Sequence, residues 1–391
     1  MNIHEYQAKR LLADFGLIAP AGAVARNPEE AGQVARDLGG KAWMVKAQVH
    51  AGGRGQAGGV RRAASAVEVE AAARELLGQR LVTHQTGSEG KAVRQILVEQ
   101  AVATVRELYL AVLIDRSAGR IAVIGAAEGG EDIEARAARA PESIERLIVD
   151  PAAGLRDEDA TAFCRALGLE GESAKAAAAL AEGLVRAFEA KDASLIEINP
   201  LGLTAEGALI ALDVKMIFDD NALFRHADVE ALRDEEEVDP TELEAKRYEL
   251  NYVKLAGDIG CLVNGAGLAL ATLDQLKRQG GEPADFMDIR PVATREQIAV
   301  GFEMIAGNPA VKAILVNIYG GGILRCDTVA EGIGLAVSRH GLQVPLILRA
   351  AGTNHEICQK SLQNQGIRVT LAADMAQAAR LAVEAVKREA A

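Results

Sequence analysis

Five glycines and two cations fall within one fifteen-residue stretch, KAQVHAGGRGQAGGV at positions 46–60. Lys46 ends an apolar run that predicts a β-strand, and Gly53, Arg54 and Gly55 lie in the loop that follows. Glycine has no Cβ atom and accepts positive φ, so a glycine-rich backbone can approach a ligand closely. The stretch indicates either a ligand-binding loop of this kind or an ordinary surface turn.

A second segment, SLIEINPLGLTAEGALIALDVK at positions 194–215, predicts a β-hairpin. Two apolar-rich runs flank residues 205–207, which fit a three-residue turn with glycine in the left-handed position. The turn would be centred on Glu206. Once the centre is fixed, the residue that faces each position across the hairpin is fixed as well.

This register places Asn199 opposite Asp213 and Glu197 opposite Lys215. Opposed residues share a face of the sheet, as do residues two apart on one strand, so the four side chains would form one polar patch. Oxygen ligands beside a cation suit Mg²⁺, which takes one or two protein oxygens together with waters and phosphates. A cross-strand ion pair on a solvated face is the alternative, and a slip of one residue would separate the four.

Two other carboxylates and one histidine are further candidates. Glu99 follows an apolar Ile-Leu-Val run and Glu107 lies in the run VRELYL, but each taken alone is typical of a protein surface. None of the six histidines lies in a recognisable nucleophile or metal motif, and only His50 belongs to the glycine-rich stretch.

Two glycine-rich turns in the C-terminal half follow apolar runs and precede helical patterns. They are VNGAGL at 263–268, which contains Asn264, and YGGGILR at 319–325, which contains Gly321, Gly322 and Ile323. A helix N-terminus offers free N–H groups and a positive dipole end to an anion. Tight packing of a strand against a helix also requires glycine, but two such turns in one domain favour an anion site.

A regular alternation of apolar runs and helical patterns from about residue 258 would position these turns. Strands are predicted at 259–263, 285–289, 313–318, 345–349 and 368–372, and helices at 268–277, 295–305, 329–338, 356–364 and 375–387. Such alternation is typical of a parallel sheet covered on both faces. The pattern therefore predicts a doubly wound α/β domain.

The first half of the chain has a different pattern, with helices interrupted by short strands. These strands are predicted at 18–24, 43–48, 96–100, 109–115, 121–125, 195–198 and 209–215, and a long helix at 174–190. The charged segment at 233–242 contains a proline and favours an exposed linker. We therefore predict two domains, 1–237 and 238–391.

Composition excludes several classes of function. The chain has 391 residues, a formal net charge of −12 and only 3% aromatic residues, which disfavours nucleic-acid binding. No apolar run approaches a membrane span, and the N-terminus lacks the apolar region of a signal peptide. The four cysteines show no ligand spacing, so we expect reduced, buried thiols in a cytoplasmic protein.

Taken in order, these pieces resemble the β subunit of the succinate–CoA ligase family over essentially the whole chain. The matching segments are MNIHEYQAK at 1–9, the stretch at 46–60, LIEINP at 195–200, NALFR at 221–225, ELNYV at 249–253 and IGCLVNGAGL at 259–268. The resemblance implies an ATP-grasp domain followed by a flavodoxin-like CoA-ligase domain.

The resemblance also implies roles for individual residues. Matching positions assign Lys46, Gly53, Arg54, Gly55, Glu99, Val102 and Glu107 to ATP, Asn199 and Asp213 to Mg²⁺, and Asn264, Gly321, Gly322 and Ile323 to the acid or phosphate. Glu197 matches the glutamate that approaches a phosphohistidine near the nucleotide site. That histidine and most of the CoA site belong to an α subunit, so the chain would be half of an αβ or α2β2 enzyme.

The implied reaction is the reversible, ATP-dependent formation of an acyl-CoA from a dicarboxylic acid, through an acyl phosphate and the phosphohistidine. ATP rather than GTP is the expectation, and Pro20 is consistent with it. A nucleotide-sensing subunit would not keep the second glycine turn. An oxidoreductase would need a complete GxGxxG turn, which residues 264–270 lack.

Two departures from the family pattern lie beside the expected acid site. Residues 290–292 are Arg-Pro-Val where the family has glycines, and the loop at 319–324 carries one extra glycine, which leaves its register open by one residue. Arg290 could bind a second carboxylate or pair with Asp288. Succinate is the expected acid, with malate or another substituted dicarboxylate as the alternative.

Overall fold

The computed structural model describes residues 1–87, 89–130 and 133–389. The chain divides into two compact units, Met1–Glu237 and Val238–Ala391. Within the described ranges, no helix is long and apolar enough to cross a bilayer.

The first unit mixes helices with antiparallel strands. Its helices are α1 (Glu5–Ala13), α2 (Pro28–Leu38), α3 (Ala66–Leu76), α4 (Ile133–Arg139), α5 (Asp157–Ala166), α6 (Gly171–Ala190) and α7 (Ala227–Glu230). Its strands are β1 (Gly22–Ala25), β2 (Trp43–Ala47), β3 (Val60–Ala63), β4 (Arg80–Leu81), β5 (Lys91–Ala92), β6 (Ile96–Gln100), β7 (Arg106–Asp115), β8 (Arg120–Ala126), β9 (Ile144–Ile148), β10 (Ala193–Leu203), β11 (Leu209–Ala211) and β12 (Val214–Phe218). Short 3₁₀ turns lie at Pro141–Ser143, Asp220–Arg225 and Glu235–Glu237.

These strands form separate antiparallel sheets. One has the order β1-β6-β2-β3 and packs against α2 and α3, with Val45 and Val98 in its core. Another has the order β11-β10-β7-β8-β9, with β12 also paired to β10, and buries one face against α5 and α6. Strands β4 and β5 pair only with each other among the described strands.

The second unit confirms the predicted doubly wound fold. Its helices are α8 (Pro240–Arg247), α9 (Ala266–Arg278), α10 (Arg295–Ala306), α11 (Cys326–His340), α12 (His355–Asn364) and α13 (Met375–Glu389). Its strands are β13 (Asn251–Lys254), β14 (Ile259–Val263), β15 (Asp285–Asp288), β16 (Ala313–Gly320), β17 (Leu346–Gly352) and β18 (Val369–Leu371), in the order β13-β15-β14-β16-β17-β18.

Burial on both faces explains why β16 is apolar along almost its whole length. Ile314 and Val316 pack with α10 and α11 on one face, whereas Ala313 and Leu315 pack with α9 and α13 on the other. Continuous apolar runs are typical of parallel strands covered by helices on both sides. Strand β13 is the exception because it pairs antiparallel to β15 at the edge of the sheet. The sequence pattern did not predict it.

Three predicted segments differ from the structure beyond a shift of their ends. The strand predicted at 18–24 is limited to β1, because residues 18–21 contain Pro20, which has no N–H to donate to a ladder. The strand predicted at 209–215 is divided into β11 and β12 by Leu212 and Asp213. The exposed linker predicted at 233–242 is wrong for Glu237, whose side chain is 3% exposed and pairs with Lys91 at 3.4 Å.

Candidate active site

A cavity of about 850 Å³ lies within the first unit. It is lined by the residues that the sequence singled out there, namely Lys46, Gly53, Arg54, Gly55, Glu99, Val102, Glu107, Glu197, Asn199 and Asp213. These residues come from β2, the glycine-rich loop, β6, β7 and the hairpin, so the fold gathers segments that are up to 170 positions apart in sequence.

The glycine-rich loop packs closely against residues 81–85. Gly53 has a φ of +72°, and a Cβ atom there would lie 3.0 Å from the His84 ring. The N–H of Gly52 donates to Gln85 Oε1 at 2.7 Å. A Cβ on Gly55, by contrast, would meet only open space. Glycine is therefore required on the packed side of the loop, whereas Gly55 leaves backbone accessible from the cavity.

Buried carboxylates hold the two cations of this stretch. Lys46 Nζ lies 2.9 Å from Glu5 Oε1 and 2.7 Å from Glu99 Oε2, and it donates to the Leu212 carbonyl at 2.5 Å. Burial alone would lower the pKa of Lys46, but the charges of Glu5 and Glu99 outweigh it and raise that pKa above its ordinary value. Lys46 is therefore a permanently charged group at the end of β2.

The guanidinium of Arg54 is held from three sides. It donates to the Ala47 carbonyl at 2.7 Å and forms ion pairs of 2.6 Å with both Glu5 and Asp213. Burial opposes its charge, but Asp213 and Glu5 raise the pKa of Arg54 further. This side chain ties the glycine-rich loop both to α1 and to the hairpin.

The predicted hairpin register is confirmed. Glu197 pairs with Lys215 across β10 and β12, and the Asn199 N–H donates to the Asp213 carbonyl at 3.1 Å. Gly207 has a φ of +84° in the turn, as the three-residue loop requires. Ile196 and Ile198 lie in the apolar core, whereas Glu197 and Asn199 line the cavity.

The oxygens of this patch fit a hard cation. Asp213 is partly exposed, and its Oδ1 binds Arg54, which leaves its second oxygen outside that ion pair. Asn199 Oδ1 accepts from the Gly130 N–H at 2.6 Å, and an amide oxygen has a second lone pair. No group of three or more His, Cys, Asp or Glu side chains within the described ranges could hold a metal. The donor set therefore fits Mg²⁺, which needs only one or two protein oxygens.

The contact of Lys215 differs from the cross-strand ion pair that was the alternative interpretation of the patch. Its Nζ donates to Gln85 Oε1 at 3.1 Å, the same oxygen that binds the Gly52 N–H. Gln85 therefore joins the hairpin to the glycine-rich loop across the cavity mouth. The sequence offered no signal for this role.

Two more residues of the charge network were missed. Lys9 Nζ lies 2.8 Å from Glu5 and 2.5 Å from Glu99, and the side chains of Glu5, Glu99 and Lys9 are all at most 7% exposed. Glu5 and Lys9 are four residues apart on α1, a spacing that places them on one helix face. That spacing, within the opening segment of the chain, is the signal that could have identified them.

His50 lines the cavity but is partly buried and packs against another ring. Its ring lies 4.4 Å from the ring of His4, whose Nε2 bonds Asp234 at 2.8 Å. Burial first, and then the neighbouring His4 and Lys91, lower the pKa of His50 to about 3. His50 is therefore neutral at physiological pH and joins α1, the glycine-rich stretch and the end of the first unit.

The glycine turns of the second unit meet at the carboxyl edge of its parallel sheet. The side chain of Asn264 accepts from the Tyr319 N–H and donates to the Tyr319 carbonyl, both at 2.9 Å. The Gly265 N–H donates to Asp288 Oδ1 at 2.5 Å. Asn264 therefore fixes the end of β16 beside the end of β14, and its amide is already engaged with backbone.

The first glycine of the turn at 319–325, Gly320, has a packing role. A Cβ atom on Gly320 would lie 2.8 Å from Cys326 Sγ and 2.9 Å from the Thr353 carbonyl. Added Cβ atoms on Gly321 and Gly322 would meet nothing within 4 Å, and Ile323 is 69% exposed. Gly320 thus belongs to β16, and the accessible part of the loop begins at Gly321.

Arg290 does not pair with Asp288, one of the two roles that the sequence left open for it. Its guanidinium bonds the Glu249 carboxylate, whereas Asp288 accepts from Gly265. Glu249 has a φ of +57°, and it lies two residues before β13, which pairs with β15. The pairing with Asp288 is therefore wrong because the side chain turns toward the antiparallel edge of the sheet.

Comparison with known proteins places these sites in a family. An ATP-grasp domain model matches residues 2–203, and a CoA-ligase model matches residues 262–388. The chain is 49% identical over 387 residues to the succinate–CoA ligase [ADP-forming] subunit beta of Parvibaculum lavamentivorans, covering 99% of both chains. It belongs to the β-subunit family of ADP-forming succinate–CoA ligases. The same subunit of Bordetella pertussis is also 49% identical, over 99% of this chain and 100% of that one.

The fold recurs in a solved structure of a different ligand-bound enzyme. The ATP citrate lyase of Methanothrix soehngenii, solved with citrate and coenzyme A, aligns with a TM-score of 0.75 over 98% of this chain and 99% of that one, at 18% identity. At this identity the likeness shows the fold alone. The two family models and the curated relatives confirm the predicted ATP-grasp and CoA-ligase architecture and the ligase class.

Proposed function

We propose that this chain is the β subunit of an ADP-forming succinate–CoA ligase, which binds MgATP in the first unit and the acid at the carboxyl edge of the second. The observation that carries the proposal is the cavity, because every residue assigned to ATP or metal from the family resemblance lines it. Relatives at 49% identity over nearly the whole chain bear the same name.

In the nucleotide half, the cations would bind the polyphosphate. Lys46 supplies a fixed point charge, and Arg54 offers a planar guanidinium that suits phosphate oxygens. Gly55 lets the loop backbone come close to the ligand. Val102 and Glu107 follow β6 and begin β7, where they would contact the nucleoside.

Asn199 and Asp213 would hold Mg²⁺ with one amide and one carboxylate oxygen. When bound, Mg²⁺ neutralises phosphate charge in the way usual for phosphoryl transfer. Asp213 is paired with Arg54 through Oδ1 in the structure, so it would bind Mg²⁺ through its second oxygen or exchange that partner. Glu197, on the same strand as Asn199, would orient the partner's histidine at this end of the cavity.

Phosphoryl transfer then needs a partner chain. The γ-phosphoryl group of ATP passes to a histidine of the α subunit with departure of ADP, and from there to a carboxylate oxygen of the acid. The thiol of CoA attacks the resulting acyl phosphate, and inorganic phosphate leaves. The α subunit supplies that histidine and most of the CoA site, in an αβ or α2β2 assembly.

In the second unit, backbone groups would bind the acid or its phosphate. The N–H groups near Gly321, Gly322 and Ile323 precede α11, whose N-terminus attracts anions. Asn264 would place this loop rather than carry the acid alone, because both ends of its amide bond Tyr319. The open surroundings of Gly321 and Gly322 support this register.

Succinate is the acid that this geometry favours over malate. A malate-specific site would need an added polar group for the hydroxyl, and Arg290 is the natural candidate from sequence. Its guanidinium is already paired with Glu249. We therefore assign Arg290 a structural role at the sheet edge.

The test is reconstitution. The chain is co-purified with its cognate α subunit, and CoA-dependent ADP release is measured with succinate and with L-malate at equal concentration. We expect activity with succinate that exceeds activity with malate and disappears when either subunit or Mg²⁺ is omitted. Equal or greater activity with malate would overturn the acid assignment, and no CoA-dependent ADP release would overturn the proposed function.

A further inference from the structure

The carboxylate of Glu5 contacts cations from three separate elements. It lies 2.8 Å from Lys9 of α1, 2.9 Å from Lys46 of β2 and 2.6 Å from Arg54 of the glycine-rich loop. Gln48 Nε2 also donates to it at 3.2 Å. Its side chain is 1% exposed and lines the cavity. No other carboxylate in the described residues contacts both Lys46 and Arg54 in the ion pairs of the structure.

Glu5 can hold three cations only if its carboxylate is ionised, and its surroundings favour the ionised form. Burial alone would raise the pKa of Glu5, but Lys46, Lys9 and Arg54 together hold it well below its ordinary value. A buried carboxylate with several cationic donors keeps them in fixed positions, since moving any one of them would leave charge unpaired.

The second carboxylate on Arg54, that of Asp213, is much more exposed than that of Glu5. Asp213 is 34% exposed and stands where the metal would bind, whereas Glu5 is enclosed by α1 and the loop. If Asp213 turned both oxygens to Mg²⁺, Arg54 would keep only Glu5 as a carboxylate partner. The contact with Glu5 would therefore hold Arg54 in place throughout, whereas the contact with Asp213 would depend on whether Mg²⁺ is bound.

We propose that Glu5 is a positioning residue for phosphoryl transfer, which holds Lys46 and Arg54 at the polyphosphate and frees Asp213 for Mg²⁺. The inference rests on the proposed function, because it presumes that the cavity binds MgATP. Glu5 itself touches the cations and not the substrate. Its contribution lies in the placement of the two groups and in the ease with which Asp213 leaves Arg54.

The first test is Glu5→Gln, which keeps the shape and removes the charge. Asp213 would then be the only charged partner of Arg54, so Mg²⁺ must compete harder for it. We expect the half-saturating Mg²⁺ concentration and the KM for ATP each to rise about tenfold, the size expected for a lost charge-assisted hydrogen bond. The KM values for succinate and CoA should not change.

Binding without turnover provides an independent readout. ATP affinity is measured by calorimetry on the αβ complex, with Mg²⁺ and in EDTA. Glu5→Gln should weaken MgATP binding by about tenfold and metal-free ATP binding by less, since Asp213 is not required by the metal-free ligand. Equal affinities for wild type and variant in both conditions would overturn the proposal.

The matched control is Asp14→Asn, the same change of charge at the exposed C-terminal end of the same helix. It should leave both ATP affinities and the Mg²⁺ dependence at wild-type values. If it alters them as much as Glu5→Gln does, the effect belongs to helix charge in general and the proposal fails.

A charge-balanced double variant separates positioning from simple charge balance. Glu5→Gln with Lys9→Met removes one buried negative and one buried positive charge, so it should recover folding stability if Glu5→Gln alone lowers it. We expect the double variant to regain the unfolding temperature but not the Mg²⁺ dependence. Recovery of both would mean that Glu5 only balances charge.

The wild-type protein distinguishes failure of this inference from failure of the proposed function. If wild type does not bind ATP in the presence of the α subunit, the proposed function is wrong. If wild type binds MgATP and Glu5→Gln binds it equally well, only the positioning role is wrong.

Discussion

The cavity of the first unit and the carboxyl edge of the second are both suited to anions, but they are built from different groups. In the cavity, Lys46 and Arg54 provide charge and buried carboxylates fix their positions. At the sheet edge, Gly321 and Gly322 offer backbone in open surroundings, and Asn264 only braces the loop. Buried cationic side chains need carboxylates that balance their charge and fix their positions. An anion that is bound by backbone N–H groups needs only open space and a helix N-terminus.

The comparison predicts its largest effect where a cation is removed from the buried network. Lys46→Met would leave Glu5 and Glu99 facing one cation fewer, and breaking a buried pair costs about 3–5 kcal/mol. We expect that loss in urea unfolding, together with a fall of at least about 100-fold in ADP release. Lys41→Met, on the exposed segment before β2, is the control and should change neither quantity.

A buried carboxyl in the second unit lacks such a network, and its pH dependence should show this. Asp285 is fully buried on β15, accepts from the Cys261 N–H at 3.0 Å, and its Oδ2 has no hydrogen-bond partner among the described residues. Burial raises the pKa of Asp285 to about 7, despite the opposing bond from Cys261.

The folded state favours the neutral form of Asp285, so the free energy of unfolding should fall as the pH rises. Stability from this group is complete below its ordinary pKa of 3.8 and is lost as the pH rises to about 7. Between pH 5 and 7 the loss is about 2–3 kcal/mol, at roughly 1.4 kcal/mol per pH unit. Asp285→Asn should remove this part of the slope in urea unfolding. An identical slope in the variant would contradict the prediction.

Glycine substitutions at the sheet edge should separate packing from binding. Gly320→Ala places a Cβ atom 2.8 Å from Cys326 Sγ, so we expect a loss of about 1–3 kcal/mol in stability. Gly321→Ala meets open space and should keep wild-type stability while raising the KM for succinate. Thermal unfolding and succinate titration of the two variants check this, and a stability loss in Gly321→Ala would show that the loop is packed after all.

The smallest effect is expected at Arg290. Its partner Glu249 is 65% exposed, and ion pairs of this kind contribute about 0–1 kcal/mol. Arg290→Gly should therefore change stability little and leave the ratio of succinate to malate activity unchanged. A shift of that ratio toward succinate in the variant would instead indicate that Arg290 helps to bind malate.

The sequence predicted most of the second unit because apolar runs and helical periods alternate there without interruption. Strand β13 was not predicted because it is a short edge strand with one buried residue, Tyr252. In the cavity, the hairpin register followed from the position of one turn. The spacing of Glu5 and Lys9 indicates a shared helix face, but neither the other partners of Glu5 nor those of Gln85 follow from it. The roles of Glu5 and Gln85 depend on contacts with residues 40 or more, or 33 or more, positions away, which no local pattern contains.

The hairpin also determines where the chain can change length. Asn199 and Asp213 face each other because the turn at 205–207 holds three residues, so an insertion or deletion there would move Asp213 to another position along β10. A similar change at the turn between β7 and β8, where Asp115 binds the N–H groups of Ser117 and Ala118, would leave that pair in place. Engineered insertions or deletions in this sheet should therefore be made in the turn between β7 and β8 and not in the turn at 205–207.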